Sequence, residues 1–536
     1  MKNILPFIAA LFLAGLAVQA QESGGTVPGA GDSQTVYVIR NINFDVDGRS
    51  RPFALIYNGE FKEGERIQGK EELEQYISRK TQLLINQRVL EEVSIEYALG
   101  EREGDGAVAV NLLVHVKDTW NIIALPYPKY DSNDGLSFTI KARDYNFFGT
   151  MSALRVDLGY RRYETENNNR ELVNKNRFNF EFDSDIPFKV FGYNWNLNFD
   201  HILYYTIGDP LYYQNVTGIS MELPFRTTTF TFGFNQYLIF NEENSDESKE
   251  LYGLGDFLEG PYAGSEMYTA WKIPTGLTVG RFGDLSYTPR VSGRVNYRAG
   301  GLDEPRKPVS SFSHSLGFGK VDWIGNYRKG LEASVGNGYS YYFGRSDAPF
   351  VINLDAGGTV YWPFTKLIGV SARLKYRQWW QHSDRINDTV PYYSGGDLLR
   401  GVVNSHLRAK YMLSLNLDLP FRILRFFPSE WFNYPPLHLF DFEMHFSPFV
   451  DLALAESPYY DYGAETLDGL KFSFKDLIMT SGFEVIVFPA FFRSFYVRGS
   501  VGYNISYLAD RNKTPDLKWG FFPQWNEIYI GIGHHY

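Results

Sequence analysis

The chain has 536 residues, a net charge of -10 and no cysteine, and 17% of it is aromatic, with 38 Tyr and 43 Phe. The length accommodates two or three ordinary domains. The charge argues against non-specific nucleic-acid binding, and the lack of thiols excludes disulfides, thiolate metal sites and cysteine nucleophiles. Residues 1–20 read as a secretory signal: Lys2 supplies the positive end, 5–18 are mostly apolar, and Val18-Gln19-Ala20 offers small residues before Gln21. Cleavage there leaves a glutamine, so no lipid anchor is implied. Residues 21–35 are small and polar, a flexible leader.

Residues 36–118 read as a small α/β domain in the order β-α-α-β-β. A strand pattern covers 36–44, a short helix 51–58, and a longer helix 70–86, where Leu73, Tyr76, Ile77, Leu83 and Leu84 fall on one face. Two strands over 89–99 and 107–116 flank a Gly-rich turn at 104–106. The helix face is core.

From residue 119 to 536 helical periodicity nearly vanishes and alternation replaces it. Residues 413–419 read Leu-Ser-Leu-Asn-Leu-Asp-Leu, a strand with one apolar and one wet face. Ile368, Val370, Ala372, Leu374 and Tyr376 alternate with Gly369, Ser371, Arg373, Lys375 and Arg377. Phe495, Val497, Val501, Tyr503 and Ile505 alternate with polar or small residues. Mean hydropathy is -0.28, too polar for a helical membrane protein, and the mature chain has no apolar run that would span a bilayer as a helix. A transmembrane β-barrel fits, because half of its strand residues face a polar lumen and aromatic girdles ring it.

A recurring apolar-Pro motif reads as turns on one rim, because proline cannot donate to a ladder. Its copies are Ile186-Pro187-Phe188, Leu223-Pro224-Phe225, Trp362-Pro363-Phe364, Leu419-Pro420-Phe421, Ile273-Pro274-Thr275 and Phe488-Pro489-Ala490. A further turn is expected at 325–330. The opposite connections, 164–175, 241–260, 381–405 and 456–469, are long and polar, the asymmetry expected of barrels. The expected fold is an all-β transmembrane barrel of about 16 antiparallel strands, about 18 if the alternating stretches 122–130 and 136–144 are counted.

The loop after Trp380 contains Gly395, Gly396, Arg400 and Gly401, and the strand after the next turn reads Phe449-Val450-Asp451-Leu452-Ala453. Alternation puts Phe449, Asp451 and Ala453 on the face opposite Val450, Leu452 and Leu454, so Asp451 points inward and needs a partner; a guanidinium on a lumenal loop supplies bidentate bonds. This pair resembles the signature of the outer-membrane assembly-factor superfamily (BamA/TamA-like, bacterial surface antigen type), which also includes the two-partner-secretion transporters. The resemblance implies a loop folded back into the lumen, with Arg400 meeting Asp451. Val402 and Ala453 depart from the family's usual aromatic and glycine. It further implies that 36–118 is a POTRA-like periplasmic domain, in a single copy where BamA and TamA carry several. Tyr145-Asn146-Phe147-Phe148-Gly149 resembles the family's turn near the barrel start. The end of the chain, with Ile530, Ile532 and a terminal Tyr536, resembles the C-terminal signal of outer-membrane barrels.

Motifs for enzyme chemistry are missing: there is no His-Glu-x-x-His, Gly-x-Ser-x-Gly, P-loop or dinucleotide fingerprint. His534-His535 would point to opposite faces of a strand and make a poor chelate, and the acidic run Glu242, Glu243, Asp246, Glu247 and Glu250 reads as a solvated loop. No catalytic residue, cofactor or metal is expected. The expected function is insertion or folding of outer-membrane proteins. A polypeptide translocation pore of the two-partner-secretion type is the alternative, and a structural or adhesive surface protein a second one. The expected partners are outer-membrane lipids and unfolded barrel clients, with periplasmic chaperones or accessory lipoproteins besides, and no nucleic acid. The expected seam lies between the first strand, within 122–130 or 137–144, and the last, within 528–536, where Gly531 and Gly533 leave little side chain to pack.

Overall fold

The computed structural model describes residues 35–104, 106–131, 135–166, 172–244, 249, 252–280, 282–345, 349–381, 393–394, 398–402, 407–456, 459–461, 466–468, 470–509 and 526–532. The signal segment, most of the leader, Gly395, Gly396, Asp246, Glu247, Glu250 and residues 533–536 with Tyr536 lie outside them.

Six elements build the N-terminal unit: β1 (Val36–Asp47), α1 (Pro52–Asn58), β2 (Arg66–Gln68), α2 (Lys70–Asn86), β3 (Leu90–Arg102) and β4 (Val108–Asp118). The sheet order is β2-β1-β4-β3, with β1 parallel to β4 and the other pairs antiparallel. The β-α-α-β-β reading omits β2, whose three residues are too few for alternation to register. Leu73, Tyr76 and Leu84 of α2 pack over Ile39, Val110, Leu112 and Val114. Lys80 shares that face. Its Nζ donates to the Glu60 carbonyl and stands 5.0 Å from the Tyr76 ring, and burial pulls its pKa below the usual lysine value.

From Ile122–Asp131 to Asn526–Ile532 the strands form one antiparallel sheet that closes on itself. Lipid solvates no backbone group, and closure removes the open edge. Among the described residues the sheet has nineteen strand segments. Two of them, Tyr411–Asp418 and Phe421–Phe426, pair one after the other with Phe442–Glu456 with the register unchanged across the break, Asp418 opposite Phe449 and Phe421 opposite Phe446, before a bulge shifts it between Arg422 and Leu424. They make one broken strand, which leaves eighteen positions, the larger of the two counts that alternation allows. Both upstream stretches, Ile122–Asp131 and Gly135–Asp144, are strands of the sheet.

The proline motif needs correction. Pro224, Pro363 and Pro489 do close strands, but Pro187 and Pro274 lie inside Leu172–Val190 and Phe257–Thr278, a few residues before the turn. Leu419-Pro420-Phe421 is no turn at all. Leu419 N donates to the Pro448 carbonyl at 3.1 Å, and the Pro420 carbonyl accepts from Gly369 N at 3.0 Å. The missing proline donor thus falls where the neighbouring Gly369–Gln381 strand begins, so little of the ladder is lost. The connection itself is displaced to 427–441. The alternation after Phe495 also ends sooner than expected, since Ile505–Ala509 is a short helix.

The N-terminal unit is clasped to one rim of the barrel. The 145–153 turn holds it on one side: Asn146, fully buried, donates to Ser50 Oγ at 2.8 Å and to Asp118 Oδ2 at 3.1 Å, and Arg51 N donates to the Gly149 carbonyl at 2.9 Å. A Cβ on Gly149 would stand 2.0 Å from the Arg49 carbonyl oxygen. On the other side Asn86 donates to Asp322 at 3.0 Å, and Arg88 lies 4.2 Å above the Trp323 ring while its Nε donates to the Arg493 carbonyl. Burial pulls the Arg88 pKa down to about 10. The same rim exposes Phe148, Phe191, Phe225 and Phe364 at or beside its turns, an aromatic belt at the level where a bilayer meets water.

Candidate functional site: the inward loop and the seam

Of the connection between Gly369–Gln381 and Tyr411–Asp418, the described residues 398–402 lie in the lumen. Its base is a two-residue ladder, Tyr393–Ser394 with Arg408–Ala409. Leu398, Leu399, Val402 and Leu407 are buried in a cluster with Ala409, Met412, Ala453, Ala455 and Ile478. Val402 therefore serves as core in the place of the aromatic that the resemblance leads one to expect. Asn416, on the lumenal face, donates to the Leu398 carbonyl at 2.9 Å.

This apolar seat carries Arg400 to Asp451. Arg400 Nη2 donates to Asp451 Oδ1 at 2.6 Å, and its Nε and backbone N reach Oδ2 at 3.0 and 2.9 Å. The two side chains are 3% and 0% exposed, so the pair is out of water. Phe449 stacks beneath the guanidinium, 3.7 Å from Cζ to the ring centroid. Arg400 Nη1 reaches Asp418 at 2.5 Å and Glu484 at 3.3 Å. Glu484 also accepts from Arg498 at 3.0 Å, and Arg498 lies 4.2 Å over the Tyr529 ring. Sequence reading missed Glu484, Arg498 and Asp418 as members of this cluster. Alternation could have placed each on the lumenal face but not at the height of Arg400.

Gly401 extends the contact to the end of the chain. Its φ is +88°, a conformation that favours glycine. Its N–H donates to Glu527 Oε2 at 2.7 Å, and a Cβ on Gly502 would stand 2.6 Å from Gly401 N. Only two glycines permit this approach. Glu527, again absent from the sequence reading, belongs to the closing strand.

That strand is held unequally. It pairs with Val497–Asn504 at seven positions, Tyr503 with Asn526 to Val497 with Ile532. Toward Ile122–Asp131 it pairs, among the described residues, at one, Tyr529 with Asp131. Tyr127 Oη adds a bond to the Ile530 carbonyl at 3.0 Å. Ile530 is half exposed on the outer side, and Ile532 ends the described strand. No helix among the described residues is long and apolar enough to cross a membrane, and no group of His, Asp or Glu among them is set to hold a metal.

These features define a class: a barrel with an inward loop anchored by a buried ion cluster, an α/β unit on one rim, and a seam with one paired position among the described residues. No protein-family model matches the chain, and no curated protein matches it. Among solved structures it is similar to BamA from Haemophilus ducreyi lacking POTRA domains 1-3, at 13% identity and a TM-score of 0.39, over 94% of this chain and 85% of that one. It is also similar to CdiB from Acinetobacter baumannii (12% identity, TM-score 0.44, 93% and 74% covered) and to CdiB from Escherichia coli (10%, 0.47, 93% and 76%).

Proposed function

We propose that this chain inserts or folds other barrel proteins in the outer membrane, with its N-terminal unit acting as a POTRA-like domain on the periplasmic side. The observation that carries this reading is the seam. A nascent barrel strand has unpaired backbone groups that lipid does not satisfy. A resident strand that, among the described residues, pairs at seven positions on one side and one on the other supplies an edge that such a strand can join by β-augmentation. No bond is made or broken in a substrate, so the activity is not enzymatic. The clients are unfolded outer-membrane proteins, and the surrounding lipid is the second partner.

A second reading, polypeptide secretion through the lumen, is favoured by a cavity of 1570 Å³ between α2 and the barrel wall, lined in part by Gly317, Gly319, Gly357 and Gly358. Depletion of the protein followed by an outer-membrane proteome separates the two. The insertase reading expects several barrels to fall together. If other barrels keep normal levels while one secreted protein is trapped in the periplasm, the secretion reading replaces it.

A further inference from the structure

The connections on the rim that carries the N-terminal unit are short, two residues at 191–192, 226–227 and 325–326 and nine at 145–153, but the one at 427–441 has fifteen. It folds as a helical turn, Pro428–Trp431, and a 3-10 segment, Pro435–Phe440. Trp431, Phe432, Tyr434, Leu439 and Phe440 are each 56–71% exposed. The elbow is nonetheless fixed. Asp441, 1% exposed, accepts from Ser429 N at 3.1 Å and from the Ser429 hydroxyl, and its own carbonyl accepts from Ala490 N at 2.9 Å. His438 packs edge-on against Phe491 at 5.7 Å.

We propose that this elbow is a lipid anchor seated in the headgroup region of the leaflet on the side of the N-terminal unit. Continuity of the outer wall identifies the occupant. In Phe442–Glu456 the odd positions reach the lumen at Asp451, so Phe446, Met444 and Phe442 face outward. Phe442 touches Phe426 at 5.3 Å, and Phe426 meets Trp431 edge-on at 5.0 Å. The chain of rings leads without a polar break from the lipid-facing wall onto the exposed face of the elbow. Lipid that covers the wall therefore meets the elbow too, and tryptophan and tyrosine suit the boundary where apolar and polar surroundings meet. Apolar groups on a preformed short helix lie in the interface plane rather than spanning it, and a patch of this kind left in water marks an interaction surface. The anchor is independent of whether the barrel inserts or secretes its clients.

The native chain has no cysteine, so one introduced thiol labels one site. The full chain carrying Phe432→Cys, labelled with an environment-sensitive NBD dye, is reconstituted in vesicles of phosphatidylethanolamine and phosphatidylglycerol. Glu96→Cys, on the exposed face of β3, gives the aqueous reference. The anchor predicts a blue-shifted emission at position 432, stronger quenching by a shallow doxyl lipid than by a deep one, and little quenching by iodide. Strong iodide quenching without doxyl quenching means that the elbow hangs in water. Quenching by neither means that protein covers it, whether a second copy or a partner. Either result overturns the proposal. Heat-modifiable migration reports folding, and Tyr434→Cys repeats the test where Phe432→Cys does not fold.

Discussion

Arg400 is enclosed by three carboxylates and a ring, and its energetics follow from that enclosure. Two charges removed from water lose hydration, which their attraction recovers only with good geometry and satisfied hydrogen bonds. Arg400 and Asp451 have both, through three donors to two acceptors. Removing Arg400 strands the buried Asp451, whereas removing the Asp451 charge leaves Arg400 with Asp418 and Glu484. Arg400→Gln is expected to cost about 3–5 kcal/mol in denaturant unfolding of the reconstituted barrel, and Asp451→Asn less, because Asp418 and Glu484 still face Arg400. The double variant is expected to lose less than the sum, and additive losses would mean that the residues are not coupled. Arg400 and Asp451 were legible because a glycine-flanked arginine in a long loop precedes a carboxylate on an inward strand face. Glu484 lies 84 positions after Arg400 and Glu527 lies 126 after Gly401. Their contacts depend on strand height around the barrel, which no local pattern encodes.

Strands show where alternation suffices and where it does not. The leucine run at 413–419 marks both faces, since Ser414 and Asn416 are buried in the lumen while Leu413, Leu415 and Leu417 are not. Proline was the weaker guide. It marks a missing donor, which a strand end supplies but so does a place where the neighbouring strand begins, as at Pro420. The closing strand belongs at this scale too. Asp131 and Tyr529 are its only paired position toward the first strand among the described residues. Asp131→Cys with Tyr529→Cys in this cysteine-free chain is expected to form a disulfide under mild oxidant and, on the proposed function, to stop barrel insertion until reductant is added. Efficient insertion by the fully cross-linked protein would show that the seam does not open.

The whole molecule is two folded units joined at a rim. Asp118, at the end of β4, accepts from Arg49 N at 2.7 Å, Ser50 Oγ at 2.6 Å and Asn146 Nδ2 at 3.1 Å, and so ties the N-terminal unit to the first turn of the barrel. Asp118→Ala is expected to leave both units folded but to loosen the joint. Hydrogen exchange would then rise in the 145–153 turn while the α2 core stays protected. Unchanged exchange there would mean that Asp118 does not hold the joint. The two units were legible from the change of period near residue 119. Their docking was not, because it rests on single polar contacts between segments far apart in sequence.

The hydrogen bond from Gly401 to Glu527 has a thermodynamic corollary. It spans two things that a client would have to displace, the loop in the lumen and the strand at the seam. Linkage is reciprocal: a ligand that draws the closing strand away loosens the loop by the same factor that an expelled loop eases the strand's departure. On the proposed function, a polypeptide entering the lumen and a strand arriving at the wall would thus be each other's positive effectors, although the two never touch.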